Sequence, residues 1–121
     1  MTIEVSNGEA LDKLSILEIK LSFSKSKQQS ENIKKEYDYL RKKITCLSEN
    51  YHEYYVSLKE VNLELWEIED SIRKKEKERD FGAYFISLAR SVYIVNDKRS
   101  RIKKKINELS SSVFVEEKIY E

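Results

Sequence analysis

Hydrophobic residues recur along most of this chain at alternating spacings of three and four positions. The longer series comprises Ile33, Tyr37, Leu40, Ile44, Leu47, Tyr51, Tyr54, Leu58, Val61, Leu65, Ile68 and Ile72. A later series comprises Phe81, Phe85, Leu88, Val92, Val95, Arg99, Ile102, Ile106 and Leu109, with one arginine among the hydrophobic residues. Such spacing is typical of helices that pack side by side. The pattern predicts an all-α fold, an antiparallel helical bundle of hairpins with long, coiled-coil-like helices.

Start and stop signals divide the pattern into four helices within a single domain over residues 1–121. Ser6 and Glu9 have the spacing of a capping box just before a hydrophobic run, which predicts the start of the first helix. The predicted helices cover 7–24, 28–47, 51–79 and 81–109, and a tail covers 110–121. Short alternating stretches at both ends, TIEVS and VFVEEKIYE, predict extended arms that could pair with each other.

The second and third helices could also be one very long helix, because the hydrophobic series continues through both. We favour a break near residues 48–50. The stretch TCLSENYHEY contains weak helix formers, and Asn50 with Glu53 provides a fresh start signal.

The sequence RDFG at residues 79–82 predicts the turn between the third and fourth helices, with Asp80 as N-cap and Gly82 in the turn. In an antiparallel hairpin, residues at equal distances from the turn face each other. The expected neighbours are Glu69 and Asp70 with Arg90, Trp66 with Tyr93 and Asn96, and Asn62 with Arg99.

Arg99 occupies a position in the hydrophobic series where an apolar residue is expected. A buried guanidinium needs carboxylate or amide partners. We therefore interpret the acids around Trp66 as partners of arginines across the hairpin. Glu69 or Asp70 is expected to pair with Arg90, and Trp66 is expected to be largely buried.

The charge balance excludes a general polyanion binder, since 23 basic and 22 acidic residues give a net charge of +1. The basic run KRSRIKKK at 98–105 would spread around a helix, which favours a solvated face over a nucleic-acid contact.

The location of the protein is indicated by its cysteine content and its N-terminus. A single cysteine is typical of a reducing compartment. The first twenty residues lack the basic start of a signal peptide, and FGAYFISLA is too short to span a bilayer. We predict a soluble, cytoplasmic protein without membrane contact.

Few residues are available for catalysis or metal binding. Cys46 and His52 are the only cysteine and histidine, so one chain cannot supply a four-ligand zinc site from them. A thiol nucleophile with its base is conceivable, but an ordinary cysteine and an exposed histidine are the preferred interpretation.

Spacings of the E-x-x-E and E-x-x-D kind occur among Glu60, Glu64, Glu67 and Asp70, as in helical magnesium-dependent pyrophosphohydrolases. No second acidic helix faces them, so we predict a solvated acidic face, no metal and no cofactor.

Four segments, in order, resemble an uncharacterised family of bacterial and phage proteins, DUF6165. They are GEALDKLSILEIKL (8–21), VNLELWEIEDSIRKKE (61–76), FISLARSVYIVNDKRSRIKKKIN (85–107) and VEEKIY (115–120). The resemblance covers most of the chain and is weak between residues 24 and 57. The family's usual ending looks like E-E-K-S-Y, and Ile119 departs from it.

The resemblance implies no established activity. It does imply an association with glycosyltransferases and surface-polysaccharide biosynthesis proteins. The family-type polar positions form an N-terminal motif and a candidate polar network or ligand site. The motif is Glu9, Asp12, Lys13, Glu18 and Lys20. The candidate network is Asn62, Trp66, Glu69, Asp70, Arg73, Arg90, Tyr93, Asn96 and Arg99, with Asp97 as a further family-type position.

Two functions are compatible with these features. The preferred one is a non-enzymatic helical interaction module, accessory to surface-glycan biosynthesis, with a glycosyltransferase as a possible protein partner. The alternative is a small all-helical enzyme or ligand-binding bundle with a polar core. A dry, fully paired network would favour the module, and a solvent-connected polar cavity would favour the ligand site. We also expect a homo-oligomer, with a dimer favoured, because Tyr37, Tyr51, Tyr54 and Tyr55 exceed what one small core can cover.

Overall fold

A computed structural model shows four α-helices, and it describes residues 1–44, 51–110, 112 and 114–120. The helices are α1 (Asn7–Phe23), α2 (Lys27–Lys43), α3 (His52–Glu78) and α4 (Ala83–Leu109). They hold 17, 17, 27 and 27 residues, so more than two thirds of the chain is helical. Within the described ranges no strand is present, and the predicted all-α bundle is confirmed. None of the described helices combines the length and apolar character needed to cross a membrane.

The two long helices, α3 and α4, form an antiparallel hairpin. At one end the Tyr51 hydroxyl donates to the Leu109 carbonyl at 3.1 Å, and at the other the Lys75 ammonium lies 5.5 Å from the Tyr84 ring centroid. Between these ends, the two helices share one hydrophobic core. It contains Val61, Ile68, Leu88 and Val95, with Leu65, Ile72, Val92 and Ile102 packed against it.

The turn of this hairpin differs from the predicted one in its capping. Arg79 ends α3 in the left-handed conformation, with φ 54°, and the Asp80 N–H donates to the Lys75 carbonyl at 3.0 Å. Gly82, not Asp80, is the N-cap of α4. The Asp80 carboxylate instead accepts a hydrogen bond from the Gly82 N–H at 3.2 Å, within the loop. The turn residues are therefore those predicted, but their roles are exchanged.

The first helix packs against both members of the hairpin and is buried on much of its circumference. The Ser6 hydroxyl accepts a hydrogen bond from the Glu9 N–H at 3.1 Å, which confirms the predicted start of α1. Leu11 joins Leu58 and Ile106 in a second hydrophobic core, at the end of the hairpin away from the turn.

Gly8 allows α1 to approach α4 closely. The Gly8 N–H donates to Asn107 Oδ1 at 2.7 Å. A Cβ atom at residue 8 would lie 2.6 Å from the carbonyl oxygen of Lys103, which is closer than side chains tolerate. A larger residue here would therefore push the start of α1 off α4.

Helix α2 packs on α1 and contributes no buried residue. It begins at a Ser26 cap, whose hydroxyl accepts from the Gln29 N–H at 3.1 Å, and ends at Lys43 rather than near residue 47. Since α2 ends at Lys43 and α3 starts at His52, the single-long-helix alternative is wrong. The break that we predicted near residues 48–50 lies outside the described residues.

The described part of the C-terminal tail runs back along α4. Glu116 lies 3.1 Å from the Lys103 ammonium, and Lys118 forms an ion pair with Asp97. The two chain ends meet through side chains, since the Ser6 hydroxyl lies 3.5 Å from a Glu116 oxygen. No strand pairing joins the described residues of the two arms.

Candidate functional site

A buried polar cluster joins α1, α3 and α4 around the carboxylate of Asp12, which is 1% exposed. Asp12 Oδ1 accepts hydrogen bonds from Asn62 Nδ2 at 2.8 Å and from Arg99 Nε at 2.9 Å. Arg99 Nη2 binds the other oxygen of Asp12, and the Lys103 ammonium lies 3.9 Å from it. Asn62 Nδ2 also lies 2.8 Å from the Ser15 hydroxyl. These five residues are called the Asp12 cluster below.

The electrostatics of the Asp12 cluster fit a structural role. A buried carboxylate is stable only when it is paired and hydrogen-bonded, and Asp12 is bonded by two other helices. The hydrogen bond to Asp12 raises the pKa of Arg99, against the opposing effect of burial. The bonds from Asn62 and Arg99 to Asp12 fix the position of α1 on the hairpin.

Lys103 extends this network to the C-terminal tail. Its largely buried ammonium lies 2.8 Å from Glu9 Oε2 and 3.1 Å from Glu116 Oε1. Burial alone would lower the pKa of Lys103, but the hydrogen bonds to Glu9 and Glu116 outweigh it, and the pKa is raised. The same bond from Lys103 holds the pKa of Glu9 below its ordinary value.

The expectation that Arg99 needs a buried partner is correct, but the partner lies on α1. Asn62 and Arg99 are brought together, as the hairpin geometry predicted, and both bind Asp12. The hairpin argument could not include α1, because the sequence does not state where that helix packs. A signal was present nonetheless: Asp12 and Ser15 are three positions apart among the hydrophobic residues of α1.

The predicted pairing of Glu69 or Asp70 with Arg90 is wrong. The Glu69 carboxylate lies 3.6 Å from Arg73 Nε, and that of Asp70 lies 3.2 Å from the Lys74 ammonium. Both are exposed pairs one turn apart on α3, and Arg90 is itself exposed on α4. The physical reason is helix rotation, because the seam between α3 and α4 is occupied by hydrophobic side chains and these charged residues fall outside it.

Trp66 is half-buried rather than largely buried, and its neighbour differs from the predicted ones. Its ring stacks on Phe23, the last residue of α1, with centroids 5.0 Å apart and an interplanar angle of 16°. Tyr93 and Asn96 line a different cavity, to which Trp66 does not contribute. The Trp66–Phe23 stack therefore anchors the end of α1 on α3.

A cavity of about 550 Å³ lies beside Trp66 and is open to solvent. Its lining is Ile16, Ile19, Asn62, Leu65, Trp66, Glu69, Asp70, Arg73 and Arg99. Six of the nine residues of the predicted network therefore lie together. Tyr93 and Asn96 line a second cavity of about 770 Å³ between α4 and the tail, Arg99 reaches both cavities, and Arg90 lines neither.

The remaining residues of the N-terminal motif attach α1 to other helices. Glu18 accepts hydrogen bonds from the Tyr55 hydroxyl and from Lys59, the latter at 2.9 Å. Burial opposes the charge of Glu18, but these two bonds outweigh it and lower its pKa, while burial and the bond to Glu18 raise the pKa of Tyr55. Lys13 lies 3.0 Å from Glu36 on α2, and Lys20 is exposed beside the end of α1.

The first half of α4 presents an exposed surface with almost no charge. From Ala83 to Asn96 the only charged residue is Arg90, although 37% of the whole chain is charged. Only Leu88 and Val95 are buried in this segment, and Ile86 and Tyr93 are 55% and 57% exposed. We call the exposed residues Ile86, Ala89 and Tyr93, together with the half-buried Asn96, the α4 patch. Sequence reasoning missed this surface, although the low charge of FISLARSVYIVN signals it.

No metal-binding group was found within the described ranges, where no set of three or more His, Cys, Asp or Glu side chains is suitably placed. Glu64 and Glu67 are exposed on α3, as is His52 at its start. Cys46 lies outside the described residues, so the suggested pairing of Cys46 with His52 has no structural description.

Comparisons with known proteins agree with the resemblance noted in the sequence. No curated protein and no solved structure matches the chain. The profile of the DUF6165 family, described as a family of unknown function, matches residues 1–121, which is the full length given. The chain therefore belongs to the DUF6165 family, whose function is not known.

Proposed function

We propose that the protein is a non-enzymatic helical interaction module whose docking surface is the first half of α4. The observation that carries this proposal is the exposure of Ile86 and Tyr93 on a helix segment with a single charge. Exposed hydrophobic side chains that form a continuous patch mark sites of protein association. The second half of α4, residues 97–109, carries eight charged residues, so the α4 patch is the part of α4 that loses its water at the lowest cost.

The state of the buried charges supports the same function. Asp12 is bonded to Arg99 and Asn62, and Lys103 to Glu9 and Glu116. A general acid, base or nucleophile must reach a substrate, whereas Asp12 is enclosed by its own partners. The Asp12 cluster thus supports a structural role, which leaves the surface of the helices for function.

The family resemblance supplies the proposed setting. We propose that the module acts in the cytoplasm as an accessory to surface-glycan biosynthesis, with a glycosyltransferase among its possible partners. An uncharged patch suits a partner that presents hydrophobic side chains, because a charged partner surface would lose water there without finding an opposite charge.

Site-specific cross-linking in living cells tests this function. A photoreactive amino acid replaces Tyr93 in the α4 patch or, as a control, the equally exposed Tyr39 on α2, which is 60% exposed. We expect discrete cross-linked products from position 93 and none from position 39. These products should disappear when Ile86→Glu is added. Equal products from both positions, or products insensitive to Ile86→Glu, would contradict the proposal.

The cavity beside Trp66 favours a second candidate, a ligand-binding bundle. It combines an aromatic ring with the guanidinium groups of Arg73 and Arg99 and the carboxylates of Glu69 and Asp70, which suits a small molecule rich in hydroxyl groups, such as a sugar. Trp66 is the only tryptophan and lines this cavity, so its fluorescence responds to binding there. Saturable quenching by sugars or sugar nucleotides, lost in Arg73→Ala and kept in an Arg101→Ala control, would support this function. A linear, unsaturable response would exclude these compounds as ligands.

A further inference from the structure

We infer that the α4 patch binds a second copy of this chain, with the two α4 helices antiparallel about a twofold axis near Ala89. The inference rests on the proposed function, because it takes the first half of α4 as the docking surface and names its partner.

The accessible surface of the chain leaves room for such an interface. It measures 9110 Å². A compact monomer of the same mass exposes about 6,800 Å², so the excess is about 2,300 Å². The extended termini and the uncovered helix faces both contribute to this excess. A standard interface takes about 800 Å² from each partner, which is well within the excess.

The order of residues in the α4 patch is self-complementary. Ile86, Ala89, Tyr93 and Asn96 follow at spacings of three, four and three, which is the spacing of a seam between two packed helices. In an antiparallel pair centred near Ala89, Ile86 of each copy lies opposite Tyr93 of the other. The small Ala89 side chain lets the helices approach closely at the axis. One surface therefore serves both copies, as an interface with twofold symmetry requires.

Charge does not oppose this arrangement. Arg90 is one position from Ala89, a rotation of about 100° around the helix, so it points to the side of the seam and stays in water.

Beyond Asn96, the same face of α4 is occupied by the tail and by the start of α1, through Lys103 with Glu116 and Asn107 with Gly8. The free part of the seam therefore ends where intramolecular contacts begin.

The tail enlarges the hydrophobic surface next to the seam. Ile119 and Tyr120 are 90% and 88% exposed, and they line the same cavity as Tyr93. The ion pair of Lys118 with Asp97 holds this part of the tail on α4. A second copy on the α4 patch would thus contact the tail as well, and would cover residues that the single chain leaves in water.

Sedimentation and cysteine cross-linking of the purified full chain test the inference. At micromolar concentrations we expect a mass twice that of the 14.4 kDa chain. Ile86→Glu and Tyr93→Glu should each weaken the association at least about tenfold, since both residues lie at the centre of the interface. Tyr39→Glu, on α2, should leave it unchanged. Circular dichroism should show equal helix content in all three variants.

The geometry is tested in a Cys46→Ser background, which removes the single native cysteine. Ala89→Cys should form a disulfide between copies rapidly, because the axis brings its two copies together. Ser87 is also exposed but lies on the other side of the helix, two positions away, so Ser87→Cys should not form one. A dimer that cross-links through Ser87→Cys, or not through Ala89→Cys, would overturn the antiparallel arrangement.

A monomer at all concentrations would overturn the inference as a whole. The proposed function would then be judged separately by the cross-linking at position 93 in cells. If those products contain a different protein and vanish with Ile86→Glu, the docking surface is correct and the partner is not a second copy. If no products form, both proposals are wrong.

Discussion

Asp12 on α1 and Arg99 on α4, 87 positions apart in the chain, form a bidentate ion pair that fixes the first helix on the hairpin. The acid is 1% exposed, whereas the arginine reaches the surface and lines both cavities. One end of the pair is therefore buried inside the bundle, and the other end borders both cavities.

Removing one member of this pair should be costly. Arg99→Ala leaves the buried Asp12 carboxylate without its main partner, and we expect a loss of about 3 kcal/mol in the free energy of unfolding. Urea denaturation followed by circular dichroism measures it. Adding Asp12→Asn should recover part of the loss, because the unpaired charge disappears. Arg101→Ala, an exposed neighbour on α4, should change the stability by less than about 0.5 kcal/mol.

Gly8→Ala should destabilise the protein by about 1 to 3 kcal/mol, because the new methyl group meets the Lys103 carbonyl and cannot be accommodated without moving α1. The chain offers a matched control in its other glycine. A Cβ at Gly82 would meet only the flexible Asp80 carboxylate, at 3.3 Å, so Gly82→Ala should cost less than about 1 kcal/mol. Equal losses for the two variants in thermal unfolding would contradict the close approach of α1 and α4.

Stability should fall as the solution becomes acidic. The pKa values of Glu9 and Glu18 are lowered in the folded chain from an ordinary value of 4.5. Their contribution is therefore complete above pH 4.5 and is lost as pH falls through the lower, folded values. Glu18→Gln should reduce stability at neutral pH and make the acid loss shallower. Glu31→Gln, an exposed control on α2, should leave the pH profile as it is. A profile that is flat down to pH 3 would contradict this account of the ion pairs.

Phe23→Ala should release the end of α1 from α3. The stacked pair with Trp66 contributes about 1 kcal/mol beyond its buried area, so we expect at least that loss together with a red shift of Trp66 fluorescence. Phe81→Ala removes an equally exposed ring that packs on Phe85 at the hairpin turn, and it should not alter the emission. An unchanged spectrum in Phe23→Ala would show that the ring stack does not form in solution.

The contacts between helices that the sequence predicts correctly lie within the α3–α4 hairpin, and the contacts between the hairpin and α1 are not predicted. The hydrophobic series correctly predicted α3, α4 and their antiparallel packing, and hence the proximity of Asn62 and Arg99. They could not predict Asp12 as the shared partner, because that contact depends on how α1 lies across the hairpin. Helix rotation was the second unknown. Glu69 and Asp70 were placed opposite Arg90 by distance from the turn, but a rotation out of the seam gave them partners on their own helix.

The α4 patch shows the opposite case, in which the sequence held a signal that periodicity alone does not reveal. Ile86 and Tyr93 fit no position of the hydrophobic series facing α3, and the structure leaves them exposed. A low local charge in a highly charged chain was the observable that distinguished this surface. Its meaning became clear only when the fold showed that no other described element covers it.

Hydroxyl-radical footprinting tests most directly whether the first half of α4 is a docking surface. Tyr93 and Tyr39 are 57% and 60% exposed in the single chain, so they should react equally when the protein is dilute. We expect Tyr93 to become several-fold less reactive as the concentration of the chain or of a host-cell extract rises, while Tyr39 stays unchanged. Equal labelling of the two tyrosines under all these conditions would contradict the account.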